Sequence, residues 1–223
     1  MEGLDIKADG TYVDLTMGGG GHTSEILRRL GSNGRLYSFD QDPDAAANAP
    51  TDDRFTFVAS NFRFVRGAMR LRGVEQVDGI LADLGVSSHH FDAKHRGFSF
   101  RGDALLDMRM NTRGKRTAAD IVNTYDKDAL ARIFSDYGEL DTTWKIANCI
   151  ERARSQKLIE TTAELVEAVK PCTPPKEEAK FLTKLFQALR IELNGEMEAL
   201  AMALEQSLKL LKPGGRLVIM SYH

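Results

Sequence analysis

Tyr12-Val-Asp-Leu-Thr-Met-Gly-Gly-Gly-Gly-His22 is the stretch whose reading decides the fold. A short apolar run with β-branched character breaks into four consecutive glycines, and a helix-like run, Ser24 to Leu30, follows. Glycine has no Cβ, so the backbone here can turn sharply and approach a ligand to van der Waals distance. At the carboxyl end of a strand in an open α/β sheet, that is where ligands bind. The spacing argues against a dinucleotide. Counting G-x-G-x-x-G from Gly18 puts the last glycine on Thr23, and counting from Gly19 puts it on Ser24. A G-x-x-x-x-G-K-[ST] phosphate loop is absent as well. Flexible glycine linkers lie in polar sequence, whereas this one follows an apolar run. The turn reads as a ligand loop built for something other than a pyrophosphate.

Outward from the turn, Arg35-Leu-Tyr-Ser-Phe-Asp40 reads as a second strand. Asp40 stands at its end, about twenty residues after the glycines, where nucleoside-binding α/β folds place a carboxylate on the ribose hydroxyls. By itself Asp40 also fits a helix cap, since Asp42-Pro43 just beyond it is a good helix start. Behind the glycine turn, the ribose reading is preferred.

Strand–helix alternation runs through the first part: strands at Tyr12–Thr16, Arg35–Phe39, Phe55–Ala59 and Val77–Ala82, helices at Ser24–Leu30 and Phe62–Leu71. Such alternation predicts right-handed βαβ units and a mostly parallel, doubly wound sheet. The pattern stops from about Phe91 to Arg190, where helical periodicities take over. Leu130, Ile133, Phe134 and Tyr137 fall at helical spacing before Gly138, Thr161-x-x-Glu164 is a capping box, and Pro174-Pro175 opens a helix carrying Phe181, Leu182, Leu185, Phe186 and Leu189 on one face. The α/β pattern returns with an apolar helical stripe at Met197, Leu200, Leu204, Leu208 and Leu211, a turn at Lys212-Pro-Gly-Gly215 and a strand at Arg216–Met220. The expected division is an α/β core, residues 1–92 and 191–223, interrupted by a helical domain, residues 93–190.

At 223 residues with 42% hydrophobic and 28% charged content, this is an ordinary globular composition. No run of eighteen apolar residues is present and the N-terminus lacks signal-peptide regions, so neither a membrane span nor a leader is read. Only Cys149 and Cys172 occur, far apart in sequence, which excludes a disulfide framework and suits the cytoplasm. The net charge of −2 hides an asymmetry: residues 91–190 carry 18 basic and 15 acidic side chains, and Lys94 to Arg116 alone carries seven against two. With Phe98 and Phe100 among them, these charges suit a phosphate backbone with unstacked bases, or a solvated charged face.

The fourth strand ends in Asp83-Leu-Gly-Val-Ser-Ser-His-His90. That end of the sheet borders the cleft for a second substrate. A carboxylate after Gly79-Ile-Leu-Ala82 would cost several kcal/mol if buried and unpaired, so Asp83 is a site candidate, with a turn or cap role as the alternative. His22, His89, His90 and His95 lack the close helical spacing or the thiolate of a zinc site, and no metal is assigned.

Taken together, Asp14-x-Thr-x-Gly-Gly-Gly-Gly-His22, Asp40-Gln-Asp-Pro43, Asp83-Leu-Gly-Val-Ser-Ser88, Arg96-Gly-Phe-Ser-Phe100, Leu106-Asp-Met-Arg-Met110, Phe186-Gln-Ala-Leu-Arg-Ile191, Asn194-x-Glu196 and Val218-Ile-Met-Ser-Tyr-His223 occur in order over nearly the whole chain. This resembles the bacterial small-subunit rRNA (cytosine-N4)-methyltransferase family. The resemblance implies a class I (Rossmann-like) methyltransferase fold, S-adenosylmethionine as cofactor, and methylation of a cytidine in the decoding region. It carries the cofactor positions onto Gly20, Gly21, His22, Asp40, Phe62, Asp83 and His90, the last standing where the family commonly has Gln. The basic cluster Arg109, Arg113, Lys115 and Arg116, with Arg96, Arg190 and Asn194, is expected to contact the RNA. The resemblance implies ribosomal RNA as partner, within the small subunit; a homodimer stays open, and no membrane or metal partner is expected. The family pattern also extends on both sides of this sequence, so the core is expected to be truncated at both ends.

The implied chemistry needs an exocyclic amine to attack a sulfonium methyl in line, and Asp83, or the backbone at Leu84–Gly85, is the candidate acceptor for the amine's hydrogen. The Asp-Leu-Gly-Val order differs from the Asn/Asp-Pro-Pro-aromatic motif of DNA amino-methyltransferases. Two other readings stay open: a methyltransferase with another acceptor, such as DNA or a small molecule, and a non-enzymatic RNA-binding ribosome-assembly module that keeps a cofactor site. A nicotinamide dehydrogenase is disfavoured by the missing G-x-G-x-x-G.

Overall fold

Apolar and β-branched runs bounded by glycine, proline or charge form five strands: β1 (Thr11–Asp14), β2 (Arg35–Asp40), β3 (Phe55–Ala59), β4 (Val77–Asp83) and β5 (Leu211–Met220). In the computed structural model, which describes residues 1–85 and 94–221, they make one sheet in the order β3-β2-β1-β4-β5. Every pairing is parallel, and Val13 lies between Tyr37 of β2 and Ile80 of β4. The chain winds from β1 through α1 (Gly21–Arg29) to β2 and β3, then returns through α2 (Val65–Arg70) to β4 on the other side of β1. The direction of winding therefore reverses between β1 and β4, and a doubly wound sheet opens its ligand crevice at the carboxyl ends of those strands.

Burial on both faces explains why these strands read as nearly continuous apolar runs. Successive side chains point to opposite faces. Val13 and Ile80 join Val65, Met69, Ala203 and Leu210 on one face, whereas Tyr12 and Leu81 join Ile26, Leu27 and Leu30 on the other. A Cβ at Gly79 would fall 2.8 Å from the Tyr12 ring, so the tyrosine requires glycine on the neighbouring strand.

The chain divides into two compact units, Met1–His89 with Met197–His223, and His90–Glu196. The second holds α3 (Ala118–Thr124), α4 (Lys127–Asp136), α5 (Thr143–Arg154), α6 (Thr162–Val169) and α7 (Glu178–Asn194); α8 (Glu196–Leu210) leads back to β5. Among its described residues the only β pairing is an isolated bridge between Leu105 and Thr161. Leu130, Ile133, Phe134, Ile146, Ile150, Leu165, Phe181, Leu185 and Leu189 are among its buried apolar side chains.

Several boundaries move for local reasons. Gly20, at φ 79°, caps α1, which starts at Gly21 rather than Ser24. The helix read at Phe62–Leu71 opens as a 3₁₀ turn, Phe62–Phe64, because the Asn61 side chain accepts from Arg63 N at 2.9 Å; only then does α2 begin. The capping box at Thr161 and Glu164 is present, and Thr117 with Asp120 forms a second one. Pro174 and Pro175 form a turn, closed by Glu177 N donating to Pro174 O, and α7 starts at Glu178. Lys212-Pro-Gly-Gly215 bulges within β5: Leu211 faces Val77, yet Arg216 already faces Gly79.

Candidate functional site

The glycine turn follows β1 at the crevice. Gly18 and Gly20 take φ 49° and 79°, a left-handed backbone that L side chains rarely adopt. Gly20 N donates to Met17 O at 2.8 Å, and a Cβ there would press to 3.1 Å from Asn48 O. A Cβ built on Gly19 or Gly21 meets nothing within 4 Å. The turn thus shows bare backbone to open space, beside an α1 N-terminus whose cap residue supplies no side-chain acceptor.

Two carboxylates brace this turn. Asp40 Oδ2 accepts from Gly18 N at 2.9 Å and Oδ1 from Asp42 N at 2.9 Å, which ties the end of β2 to the glycine loop. Asp14 escaped the sequence reading as a functional group. It is fully buried, with Oδ1 accepting from Thr16 N at 3.1 Å and Oδ2 from the Thr23 hydroxyl at 2.8 Å; Thr23 in turn meets Ser38 Oγ at 2.8 Å. Burial pushes the Asp14 carboxyl above the ordinary carboxylate range, against the pull of those two donors. The available sign was its place in the Asp14-x-Thr-x-Gly run.

Asp83 ends β4 with its backbone N donating to Thr16 Oγ1 at 2.7 Å. Its Oδ2 lies 3.2 Å from His22 Nε2 on the first turn of α1, with the side chains 26% and 38% exposed. Its Oδ1 is closed to solvent and has no hydrogen-bond partner among the described residues. The carboxylate is thus neither core nor free surface: one oxygen is sealed and the other faces the imidazole. Phe62, after β3, is half-buried against the cluster of Val65 and Met69. Asn61 beside it donates to Gln41 Oε1 at 2.7 Å, joining the ends of β3 and β2, a link no spacing in the sequence announces. His90 lies outside the described residues.

In the helical unit the residues assigned to RNA fall into two groups. Arg96 is buried, donating to Arg109 O at 2.6 Å and Met110 O at 3.4 Å. Asn194 holds the same loop, accepting from Met110 N and donating to Met108 O, while Arg190, also buried, makes a two-point ion pair with Glu196 at 2.8 and 3.1 Å. Arg109 chelates Asp107 at 2.7 and 2.6 Å and donates to Gly114 O. Phe100 packs edge-on to Phe186 at 5.8 Å. These motif residues form a polar knot that shapes the 96–110 loop. Arg113, Lys115 and Arg116 are exposed, with the Arg116 guanidinium 4.7 Å over the Tyr125 ring.

The whole chain, residues 1–223, matches the MraW methylase family. A protein called ribosomal RNA small subunit methyltransferase H in Parabacteroides distasonis is 59% identical over 224 residues, covering all of this chain and 73% of that one. Proteins of the same name in Bacteroides thetaiotaomicron and Flavobacterium johnsoniae are 56% and 54% identical over 223 residues, again covering all of this chain and 73% and 74% of theirs. Identity at that level over the full chain, on an all-parallel sheet with a glycine turn at its switch point, leaves one conclusion: the chain belongs to the MraW methylase family and is a methyltransferase.

Proposed function

We propose that this protein transfers a methyl group from S-adenosylmethionine to the exocyclic N4 of a cytidine in the decoding region of small-subunit ribosomal RNA, acting on ribosomal particles in the cytoplasm. The observation that carries the reading is the crevice at the β1/β4 switch, where bare glycine backbone and the half-open Asp83 carboxylate sit on adjacent strands. The names of the full-length relatives support ribosomal RNA as the acceptor.

The residues present fit that cofactor. Gly21 offers backbone with open space where a Cβ would stand and Gly20 supplies the left-handed turn beside it, Asp40 is aimed by the Gly18 and Asp42 amides to accept from ribose hydroxyls, and Phe62 supplies an apolar flank for adenine. His22 and Asp83 face the same crevice; His90, carried over by the resemblance, lies outside the described residues. When bound, S-adenosylmethionine would supply an electrophilic methyl on a sulfonium, with sulfur as the leaving group that keeps the C–S electron pair. Asp83 accepts a hydrogen bond from the amine, favours its tetrahedral form and receives the proton that nitrogen must lose. Orientation of this kind accounts for several kcal/mol of a barrier. On the RNA side, exposed Arg113, Lys115 and Arg116 are proposed to contact phosphates. Arg96, Arg109, Arg190 and Asn194 act there by holding the loop in shape.

The test is tritiated-methyl transfer onto small ribosomal subunits lacking the modification, followed by nucleoside mass spectrometry. Label in N4-methylcytidine is expected. RNA binding without transfer would favour the assembly-module reading, and label in another nucleoside would overturn the assigned acceptor.

A further inference from the structure

We infer that His22 is a positioning residue for Asp83: its imidazole fixes the one carboxylate oxygen that can work. The inference rests on the reading of Asp83 as the acceptor for the amine and adds the residue that aims it. An ionised carboxylate only accepts, so the 3.2 Å approach makes His22 Nε2 the N–H donor and Asp83 Oδ2 the acceptor. Asp83 Oδ1 is sealed from solvent and makes no hydrogen bond among the described residues, so an incoming amine can meet only Oδ2. Two restraints hold that oxygen. The Asp83 backbone is pinned by its N–H to Thr16 Oγ1, and the carboxyl's rotation is set by His22. Both come from the Thr16-to-His22 segment, so the turn that shapes the crevice also aims the carboxylate on the neighbouring strand.

Two other acidic groups matter to the pair. The Asp40 charge pushes the buried Asp14 carboxyl upward, and His22 draws it downward. Neither Asp14 nor Asp40 takes the Nε2 hydrogen: Asp14 is engaged by Thr16 and Thr23, and Asp40 by Gly18 and Asp42. The imidazole's hydrogen bond goes to Asp83.

The experiment compares His22→Ala, His22→Gln, Asp83→Asn and the double variant His22→Ala/Asp83→Asn in the full chain. Cofactor dissociation constants come from calorimetry, folding from thermal melts, and single-turnover rates from saturating cofactor with subunits. Removing a hydrogen bond to a charged group corresponds to about 10- to 100-fold in rate. His22→Ala is expected to slow turnover at saturating cofactor by that factor, beyond any loss of cofactor affinity that its place among the cofactor positions brings. Glutamine, whose Nε2 can reach the same oxygen, should recover most of the rate. The double variant should be no slower than Asp83→Asn within about twofold, because His22 acts through Asp83. Additive losses at saturating cofactor would overturn the inference. So would a glutamine variant that folds like the wild type and is as slow as alanine. A fully active Asp83→Asn sinks the acceptor reading itself, and a wild type with no methyl transfer sinks the proposed function.

Discussion

Asp14 shows how far one carboxyl is displaced by its setting. Its folded-state value lies above the ordinary 3.8 because burial penalises the charge more than Thr16 and Thr23 relieve it. The sign follows from linkage. The contribution of this group to stability is full below its unfolded value and is lost as pH rises through the higher folded value. Asp14→Asn removes that loss while keeping the acceptor for Thr16 N. Urea midpoints measured from pH 3 upward should therefore show wild type losing ground to the variant as pH rises above about 4, and parallel curves would contradict the assignment. Asp40 supports a different expectation. Asp40→Ala should weaken S-adenosylmethionine binding by about 1.5–3 kcal/mol, the usual worth of a hydrogen bond to a charged partner. It should also lower the melting temperature, since Gly18 loses its anchor. An unchanged dissociation constant in calorimetry would remove the ribose role.

Between elements, one tight constraint is the pair Tyr12 and Gly79 on β1 and β4. Gly79→Ala drives a methyl to 2.8 Å from a fully buried ring. Overpacking of this sort costs about 1–3 kcal/mol, and a denaturant midpoint that does not fall would show that the ring gives way. The same elements show what a sequence discloses. The five strands and their α/β alternation were legible because each is an apolar run with its own punctuation, and burial on both faces makes such runs stand out. The glycine turn, Asp40 and Asp83 were legible because strand ends in such a sheet are where ligands bind. The 96–110 loop was not. Asn194 reaches Met108 and Met110 across more than eighty residues, and Arg96 binds carbonyls, so neither leaves a periodic trace. Gly97 is the partial exception: at φ 72°, with Leu105 O 2.3 Å from any Cβ, it explains why glycine follows Arg96. Asp14 was missed because a lone carboxylate inside an apolar strand shows no partner until Thr23 and Ser38 are seen beside it.

Across the molecule, charge separates what holds the fold from what faces solvent. Replacing Arg113, Lys115 and Arg116 by Gln should flatten the salt dependence of RNA affinity by roughly 0.7–0.9 in slope for each phosphate left without its cation, with the cofactor constant unmoved. A slope that stays the same while cofactor affinity falls would show the patch assigned to the wrong ligand. Arg109→Gln should instead lower the melting temperature, because Asp107 and the Gly114 carbonyl lose their donor. The order of strands carries one more consequence, for synthesis. β5 is the partner that covers the open side of β4, yet it lies beyond the helical unit, more than a hundred residues downstream. At translation speeds of about 5–20 residues per second, β4 emerges on the order of ten seconds before the strand that completes it. During that interval a nascent sheet presents Ile80, Leu81 and Ala82 on an unpaired edge, the kind of template on which foreign strands add. Slow codons downstream would lengthen that interval, and a chaperone that shields the edge would guard it.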